Sequence, residues 1–185
     1  MPSYRRWRVE GGAYFLVVVT HERRPLFQDA WARRLLRQAI ADVRRKRPFA
    51  MEAIVLLPDH LHMIWRLPEG DSAFSTRMAA IKKRFTDAYL AGGGTEGTST
   101  RSRARHRVRG VWEKRFYEHA IRGPKDYRMH FDYLHLNPVK HGLAVRPRDW
   151  RFSSFHRYVR AGVYDQDWCG DQRLPGVTYL EPRWA

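Results

Sequence analysis

Two hydrophobic periods alternate along this chain, and each change of period marks a new element. Gly11 to Thr20 (GGAYFLVVVT) is uncharged, largely apolar and rich in Val, Tyr and Phe, which predicts a buried strand. Asp29 then opens a stretch in which Trp31, Leu35, Leu36, Ala39, Ile40 and Val43 recur at spacings of three and four. Arginines take the opposite face, so a helix is expected to about Lys46, stopped by Pro48. Phe49 to Leu57 has a second strand pattern, and Pro58-Asp59 is a turn signal. His60 to Leu67 follows as a third strand, with His60, His62 and Ile64 on one face and Leu61, Met63 and Trp65 on the other. A helix capped by Asp71 or Ser72 is expected to about Leu90. Ala91 to Gly110 is Gly, Thr and Ser followed by Arg101, Arg103, Arg105, Arg107 and Arg109. It has too little apolar surface to order itself and predicts a mobile loop inside the domain. Val111 to Ile121 resumes a strand pattern. Pro124 suits the first turn of a helix reaching about Leu136, and Asn137-Pro138 is expected to break it.

The order strand, helix, strand, strand, helix, strand, helix matches an α+β, ferredoxin-like split βαβ fold. Its sheet would have four to five antiparallel strands, with two helices on one face and a further helix after the last strand. His60 and His62 would then line an open sheet face beside solvent. At 185 residues the chain fits a single domain, 1–150, with 151–185 as a tail folded back on it through Trp150, Phe152, Phe155, Tyr158 and Trp168. The fold hosts nucleic-acid-binding modules and many enzymes, so it decides no function by itself.

Charge narrows the choice. Lys plus Arg number 35 against 19 Asp plus Glu, a net charge of +16 and a pI near 10.7. Such an excess calls for a polyanion, and nucleic acid gains sequence-independent affinity from each phosphate neutralised. Membrane headgroups are the rival, but there is no long amphipathic basic helix with an exposed apolar face. The longest uncharged apolar run, Gly11 to Thr20, is half of the roughly 20 residues a membrane helix needs. Arg5, Arg6 and Arg8 precede that run as in a secretory signal. No small-residue cleavage site follows, so secretion is not expected. The single cysteine, Cys169, excludes an internal disulfide and fits a reducing cytoplasm.

Two clusters have the residue types for chemistry. In PDHLHMIW a pleated strand sends the imidazoles of His60 and His62 out of one face, within reach of one divalent ion. In MHFDYLHLNPVKHG, Tyr133 and Asn137 are four apart on a helix and so neighbours on one face. Asn137 offers a hard carbonyl oxygen, and two imidazoles plus that oxygen leave positions open for phosphate and water. A phenol is a weak nucleophile at its ordinary pKa of about 10, but a metal that neutralises developing charge makes its attack on a phosphodiester feasible. The plainer readings are an accidental His-x-His pair and a core aromatic, with Tyr117 and Tyr127 as competitors of the latter kind. For DNA contacts, the candidates are Arg5 and Arg6 beside Trp7, Lys82 and Lys83 on the second helix, and Arg101, Arg103 and Arg105 in the loop. Trp112 and Phe116 read as core residues.

PDHLHMIW, followed about seventy residues later by DYLHLNPVKHG, resembles the HUH single-tyrosine transposase superfamily, and within it the REP-associated tyrosine transposases of bacteria. YRRWRVEGGAYFLVVVTHERRPLF, LPEGDSAFSTR, IKKRFT, WEKRFYEHAIRGPKDY and WRFSSFHRYVRAGVYDQDW extend the resemblance over nearly the whole chain. The segment Ala91 to Gly110 departs from the pattern by its length and its arginines. The resemblance implies cleavage of single-stranded DNA at palindromes that fold into hairpins with a short 5′ tetranucleotide guide. It implies Tyr133 as nucleophile, His60, His62 and Asn137 as ligands of Mg²⁺ or Mn²⁺, and a 5′-phosphotyrosine beside a free 3′-hydroxyl. It also implies a bacterial cytoplasmic, nucleoid-associated protein, monomeric or paired with a second copy. A hydrolytic metal nuclease without a covalent intermediate and a non-catalytic hairpin-binding protein are the alternatives.

Overall fold

Every residue of strand β1 (Ala13–Val19) is buried, because it lies mid-sheet with both faces covered. The coordinates, a computed structural model, describe residues 7–98, 105 and 109–169. Arg5, Arg6, Arg101 and Arg103 lie outside them. Strands β2 (Ala50–Leu56), β3 (His60–Arg66) and β4 (Tyr117–Ala120) complete a four-stranded sheet in the order β2-β3-β1-β4, with every neighbouring pair antiparallel. Helix α1 (Ala30–Lys46) links β1 to β2, and α2 (Phe74–Ala91) links β3 to β4, which is the ferredoxin-like topology.

Strand parity divides the core into two layers. Tyr14, Leu16 and Val18 of β1 join Leu61, Met63 and Trp65 of β3 beneath α1 and α2. Asp29 caps α1 by accepting from the Trp31 N–H at 2.8 Å, and Ala32, Leu36, Ala39 and Val43 form its buried stripe. Trp31, Leu35 and Ile40 flank that stripe and are only partly buried. Neither Asp71 nor Ser72 is the cap of α2; Ala73 holds that position, and Asp71 accepts from the Ala73 N–H at 2.7 Å instead. Trp112 and Phe116 belong to this layer.

Phe15, Val17 and Val19 face the other way with Val55 and Ile64, and this second face is also covered. Helix α3 (Pro124–Lys140) lies over it with Phe131, Tyr133 and Leu134, joined by Phe155 and Tyr164 from beyond Trp150. The expected open face therefore does not exist. His60 is 3% exposed and His62 is 1% exposed, because α3 seals the imidazoles against the sheet.

Two boundaries differ from the sequence reading. The strand expected over Val111 to Ile121 is confined to Tyr117–Ala120. Trp112 makes one bridge to Thr20, after which the chain bends away to bury Phe116. Pro138 does not break α3, which runs on to Lys140. What ends it is Gly142 at φ +66°: the Gly142 N–H bonds to the Val139 carbonyl at 3.0 Å and the Leu143 N–H to the Pro138 carbonyl at 2.9 Å. This is a Schellman closure, and its left-handed residue favours glycine.

The two ends of the Arg-rich segment are held together. Glu96 accepts from the Gly110 N–H at 2.8 Å and from Arg109, while the Gly97 N–H reaches the Gly110 carbonyl at 2.7 Å. A Cβ on Gly110 would lie 2.7 Å from the Gly97 carbonyl oxygen, so this close approach requires glycine. After Trp150, Phe152 to Ser154 run along the free edge of β2 and protect it (Leu56 N–H to Phe152 carbonyl, 2.9 Å; Ser154 N–H to Ile54 carbonyl, 2.8 Å). The short helix α4 (Phe155–Arg160) follows.

Candidate active site

The antiparallel register sets Val17 opposite His62 and Val19 opposite His60, so both imidazoles emerge on the α3 side of the sheet. Their ring centroids are 5.0 Å apart. Asp59 accepts from His60 Nδ1 at 2.6 Å, which fixes that ring and leaves Nε2 as the nitrogen that could serve as a donor to a metal. Asp59 is itself held by Arg23 at 2.9 Å. Burial alone would raise the Asp59 carboxyl, but His60 and Arg23 outweigh it and hold the group down at about 2.

Neither ring nitrogen of His62 has a hydrogen-bond partner of good geometry, although the residue is sealed from solvent. Burial pushes its pKa well below the ordinary value, and charge on His60, His141 and Lys140 pushes the same way against a smaller effect of the adjacent Asn137. His62 is therefore neutral at physiological pH, the state a metal ligand needs.

Helix α3 supplies the other half. Tyr133 and Asn137 lie one turn apart on its buried face, and the Asn137 amide donates to the Tyr133 carbonyl at 3.4 Å. Asn137 Oδ1 is buried with no hydrogen bond. The Tyr133 ring stands edge-on to His62, centroids 5.8 Å apart, and has no solvent-exposed surface. Lys140 completes the group, its ammonium 3.5 Å from the Tyr133 hydroxyl and 5.0 Å from the ring centroid. Buried acceptors left unsatisfied are costly. The His62 ring and the Asn137 carboxamide oxygen in that state, with the Asp59-held His60 ring 5.0 Å from His62, are a donor set that fits a divalent cation.

The structure adds residues that the sequence reading did not single out. His141 follows α3 directly, and its ring lies 4.9 Å from that of His60. Further along the same face, His119 of β4 and Asp126 and His130 of α3 bring possible ligand atoms within 4.8 Å of one another. Here Asp126 is shared: His119 Nε2 lies 2.8 Å and His130 Nδ1 2.9 Å from its carboxylate, and the two rings stack at 4.4 Å. The i, i+4 spacing of Asp126 and His130 was a visible signal, but nothing in the sequence tied it to His119.

The proposed DNA contacts lie elsewhere. Lys82 donates to the Glu113 carbonyl at 2.6 Å, and Lys83 pairs with Asp87 at 2.7 Å, both on the α2 side of the sheet away from the imidazoles. Arg105 is exposed.

A phenol, an amide and neighbouring imidazoles, brought together between a ferredoxin-like sheet and a covering helix, define an α+β domain equipped for phosphodiester chemistry. The chain belongs to the family described as "Transposase IS200 like", whose match spans residues 8–135, and it is accordingly a DNA strand-transferring enzyme. The REP-associated tyrosine transposase of Escherichia coli (strain K12) is 44% identical over 171 residues, 92% of this chain and 93% of that protein. A Haemophilus influenzae relative assigned to the same group is 38% identical over 174 residues, 94% of this chain and 97% of the relative. A solved structure of the REP-associated tyrosine transposase bound to a REP hairpin matches with a TM-score of 0.77 and 45% identity, covering 92% of this chain and 93% of that one. Among the described residues, no helix is long and apolar enough to cross a membrane.

Proposed function

We propose that this transposase cuts and rejoins single-stranded DNA at hairpin-forming palindromic repeats through Tyr133, with Mg²⁺ or Mn²⁺ held by His60, His62 and Asn137. The observation that carries this reading is the meeting of two unsatisfied buried groups, the His62 ring and Asn137 Oδ1, beside the Tyr133 ring. The solved hairpin complex of a 45% identical chain supports the choice of DNA. A DNA substrate in turn favours a cytoplasmic setting at the bacterial nucleoid.

The bound ion supplies Lewis-acid polarisation of the scissile phosphodiester. The Tyr133 oxygen attacks phosphorus and its phenolic proton passes to solvent. The bond to the 3′ oxygen breaks, and that oxygen leaves as a 3′-hydroxyl after taking up a proton. The strand remains joined to the enzyme as a 5′-phosphotyrosine. A second 3′-hydroxyl can displace the tyrosine in the reverse sense, and no nucleotide is consumed because one diester replaces another. His60 and His62 would hold the ion, Asp59 fixes the His60 ring, and the Lys140 ammonium stabilises the developing phenolate. Tyr133 is sealed in the structure, so the scissile phosphate reaches it only when the end of α3 or the chain after it yields.

The test is incubation with a labelled hairpin oligonucleotide and Mn²⁺ or Mg²⁺, read on a denaturing gel. A covalent adduct lost in Tyr133→Phe is expected. Cleavage without an adduct would indicate a hydrolytic nuclease, and retention without cleavage a binding protein. His60→Ala with His62→Ala should abolish cleavage and spare most hairpin binding, which rests chiefly on phosphate contacts.

A further inference from the structure

Away from His60 and His62, a second group of side chains has the residue types and spacing of a metal site. Among the described residues, His119, Asp126 and His130 are the one trio of His, Cys, Asp or Glu whose ligand atoms all lie within 4.8 Å of one another. His119 pairs with Phe15 across the sheet and so faces α3, where Asp126 and His130 stand one turn apart. Asp126 presents one carboxylate oxygen to His119 Nε2 at 2.8 Å and the other to His130 Nδ1 at 2.9 Å. Ligands bound about 2.0–2.1 Å from one ion, at right angles, stand about 2.9 Å apart. Both imidazoles are therefore already at neighbouring-ligand distance from the carboxylate.

The surroundings suit a ligand role. His130 is fully buried, makes its polar contacts with Asp126 alone (backbone carbonyl at 2.8 Å, carboxylate at 2.9 Å), and leaves Nε2 with no hydrogen bond. An unmet buried polar atom is costly, and packing against Phe15 would be served better by an apolar side chain. Burial lowers the His130 pKa, so the ring is neutral at physiological pH. At Asp126 burial raises the carboxyl, but hydrogen bonds from His119 and the Arg122 N–H outweigh it and hold the group below the ordinary range. The His119 and Asp126 side chains keep 26% and 19% of their surface exposed, so an ion can enter from solvent and retain water in its remaining positions.

We propose that His119, Asp126 and His130 form a second metal site, which takes a borderline divalent ion of the Zn²⁺ class and pins β4 to the helix that carries Tyr133. Two imidazoles with one carboxylate select such an ion over Mg²⁺, which prefers an all-oxygen shell. The register keeps this site apart from the first. His119 lies opposite Phe15 on β4, and His62 lies opposite Val17 on β3, so they are two strands and two residues apart, about 12 Å at the backbone. A two-metal centre needs its ions about 3.5–4 Å apart, so this ion would not share the scissile phosphate. Its place is structural: His130 lies one turn before Tyr133, and an ion there steadies the turn from which the phenol projects. The site stands whether or not Tyr133 is the nucleophile.

The test is calorimetric and spectroscopic titration of the chelator-stripped full chain with Zn²⁺ and Co²⁺, in a His60→Ala/His62→Ala background that removes the other pair of imidazoles. One ion per chain is expected, with a visible Co²⁺ absorption band. Zn²⁺ at about 100 times its dissociation constant should raise the melting temperature by about 5 °C. Adding His119→Ala or Asp126→Asn to that background should remove the ion, the band and the rise while the circular dichroism spectrum is kept. In an otherwise wild-type chain, His119→Ala should lower the number of bound Zn²⁺ by one, which keeps the test valid should the double-histidine background fail to fold. Absence of binding in the folded background would overturn the proposal, and so would binding that survives both substitutions. Either result would leave Asp126 as a hydrogen-bond acceptor between two rings and nothing more. Displacement of Zn²⁺ by an equal concentration of Mg²⁺ would overturn the choice of ion.

Discussion

Lys140 reaches the Tyr133 hydroxyl from two turns further along α3, with 3.5 Å between ammonium and phenol. A fixed positive charge beside a developing phenolate acts as an oxyanion stabiliser, a contribution that commonly amounts to about 100-fold in rate. Lys140→Met is therefore expected to slow formation of the covalent adduct by about 100-fold while hairpin affinity stays within a few-fold, as read by single-turnover kinetics beside equilibrium binding. Both His60 and His62 were legible from strand parity, and Tyr133 with Asn137 from helical spacing. Lys140 and His141 were not, because the sequence reading ended the helix before Pro138. The helix instead runs through that proline to Lys140, which keeps Lys140 in helical register with Tyr133.

Between elements, the most concentrated polar tie is Arg77 of α2, which is 4% exposed. It donates to Asp71 at 3.0 and 2.5 Å, to the Pro48 carbonyl at 3.0 Å and to the Arg47 carbonyl at 3.2 Å, joining the end of α1 to the start of α2. Its hydrogen bonds hold the Asp71 carboxyl below the ordinary range. Removing one partner of a fully buried pair costs about 3–5 kcal/mol, and Asp71 retains some solvent, so Arg77→Ala should cost about 2 kcal/mol. Urea unfolding monitored by circular dichroism would check this, and an unchanged midpoint would show the tie to be energetically idle. The sequence showed a helix at this point and offered Asp71 only as its cap. That the carboxylate instead clamps a buried arginine depends on where α1 ends. The shortened β4 has a similar origin, since Phe116 turns inward to pack edge-on against Phe74 at 6.3 Å and leaves the strand ladder.

Across the whole molecule, the chain after Trp150 is fastened to the body through a buried imidazole. His135 of α3 meets Ser154 at 2.9 Å, Tyr164 at 3.2 Å and its own helix at the Phe131 carbonyl, 2.9 Å. Ser154 in turn accepts from the Ile54 N–H at 2.9 Å. Burial lowers the His135 pKa to about 3, with the charges of Arg157 and Arg128 adding to the effect against the Phe131 hydrogen bond. The folded state therefore binds fewer protons than the unfolded chain from about pH 6.5 down to about 3. Stability contributed by neutral His135 is complete above the unfolded value and is lost as pH falls toward the folded one, at no more than about 1.4 kcal/mol per pH unit. The melting temperature should fall between pH 7 and pH 4.5, and His135→Gln should flatten that decline. A parallel decline in the variant would assign the acid sensitivity to other groups, with the buried His130, also lowered by desolvation, the first to examine.

Local pattern determined the strand and helix order, the parity that points His60 and His62 to one side, the one-turn spacing of Tyr133 and Asn137, and the positive charge that demands a polyanion. Each of these depends on neighbours a few residues apart or on simple composition, which a linear string records directly. Tertiary structure decided that α3 covers the second sheet face, that the Tyr133 phenol is sealed, that His141 adjoins the cluster, and that Asp126 gathers two imidazoles from different elements. Those outcomes follow from burying the apolar side of α3 against Phe15 and Val17, a packing choice between segments about a hundred residues apart that no local period encodes.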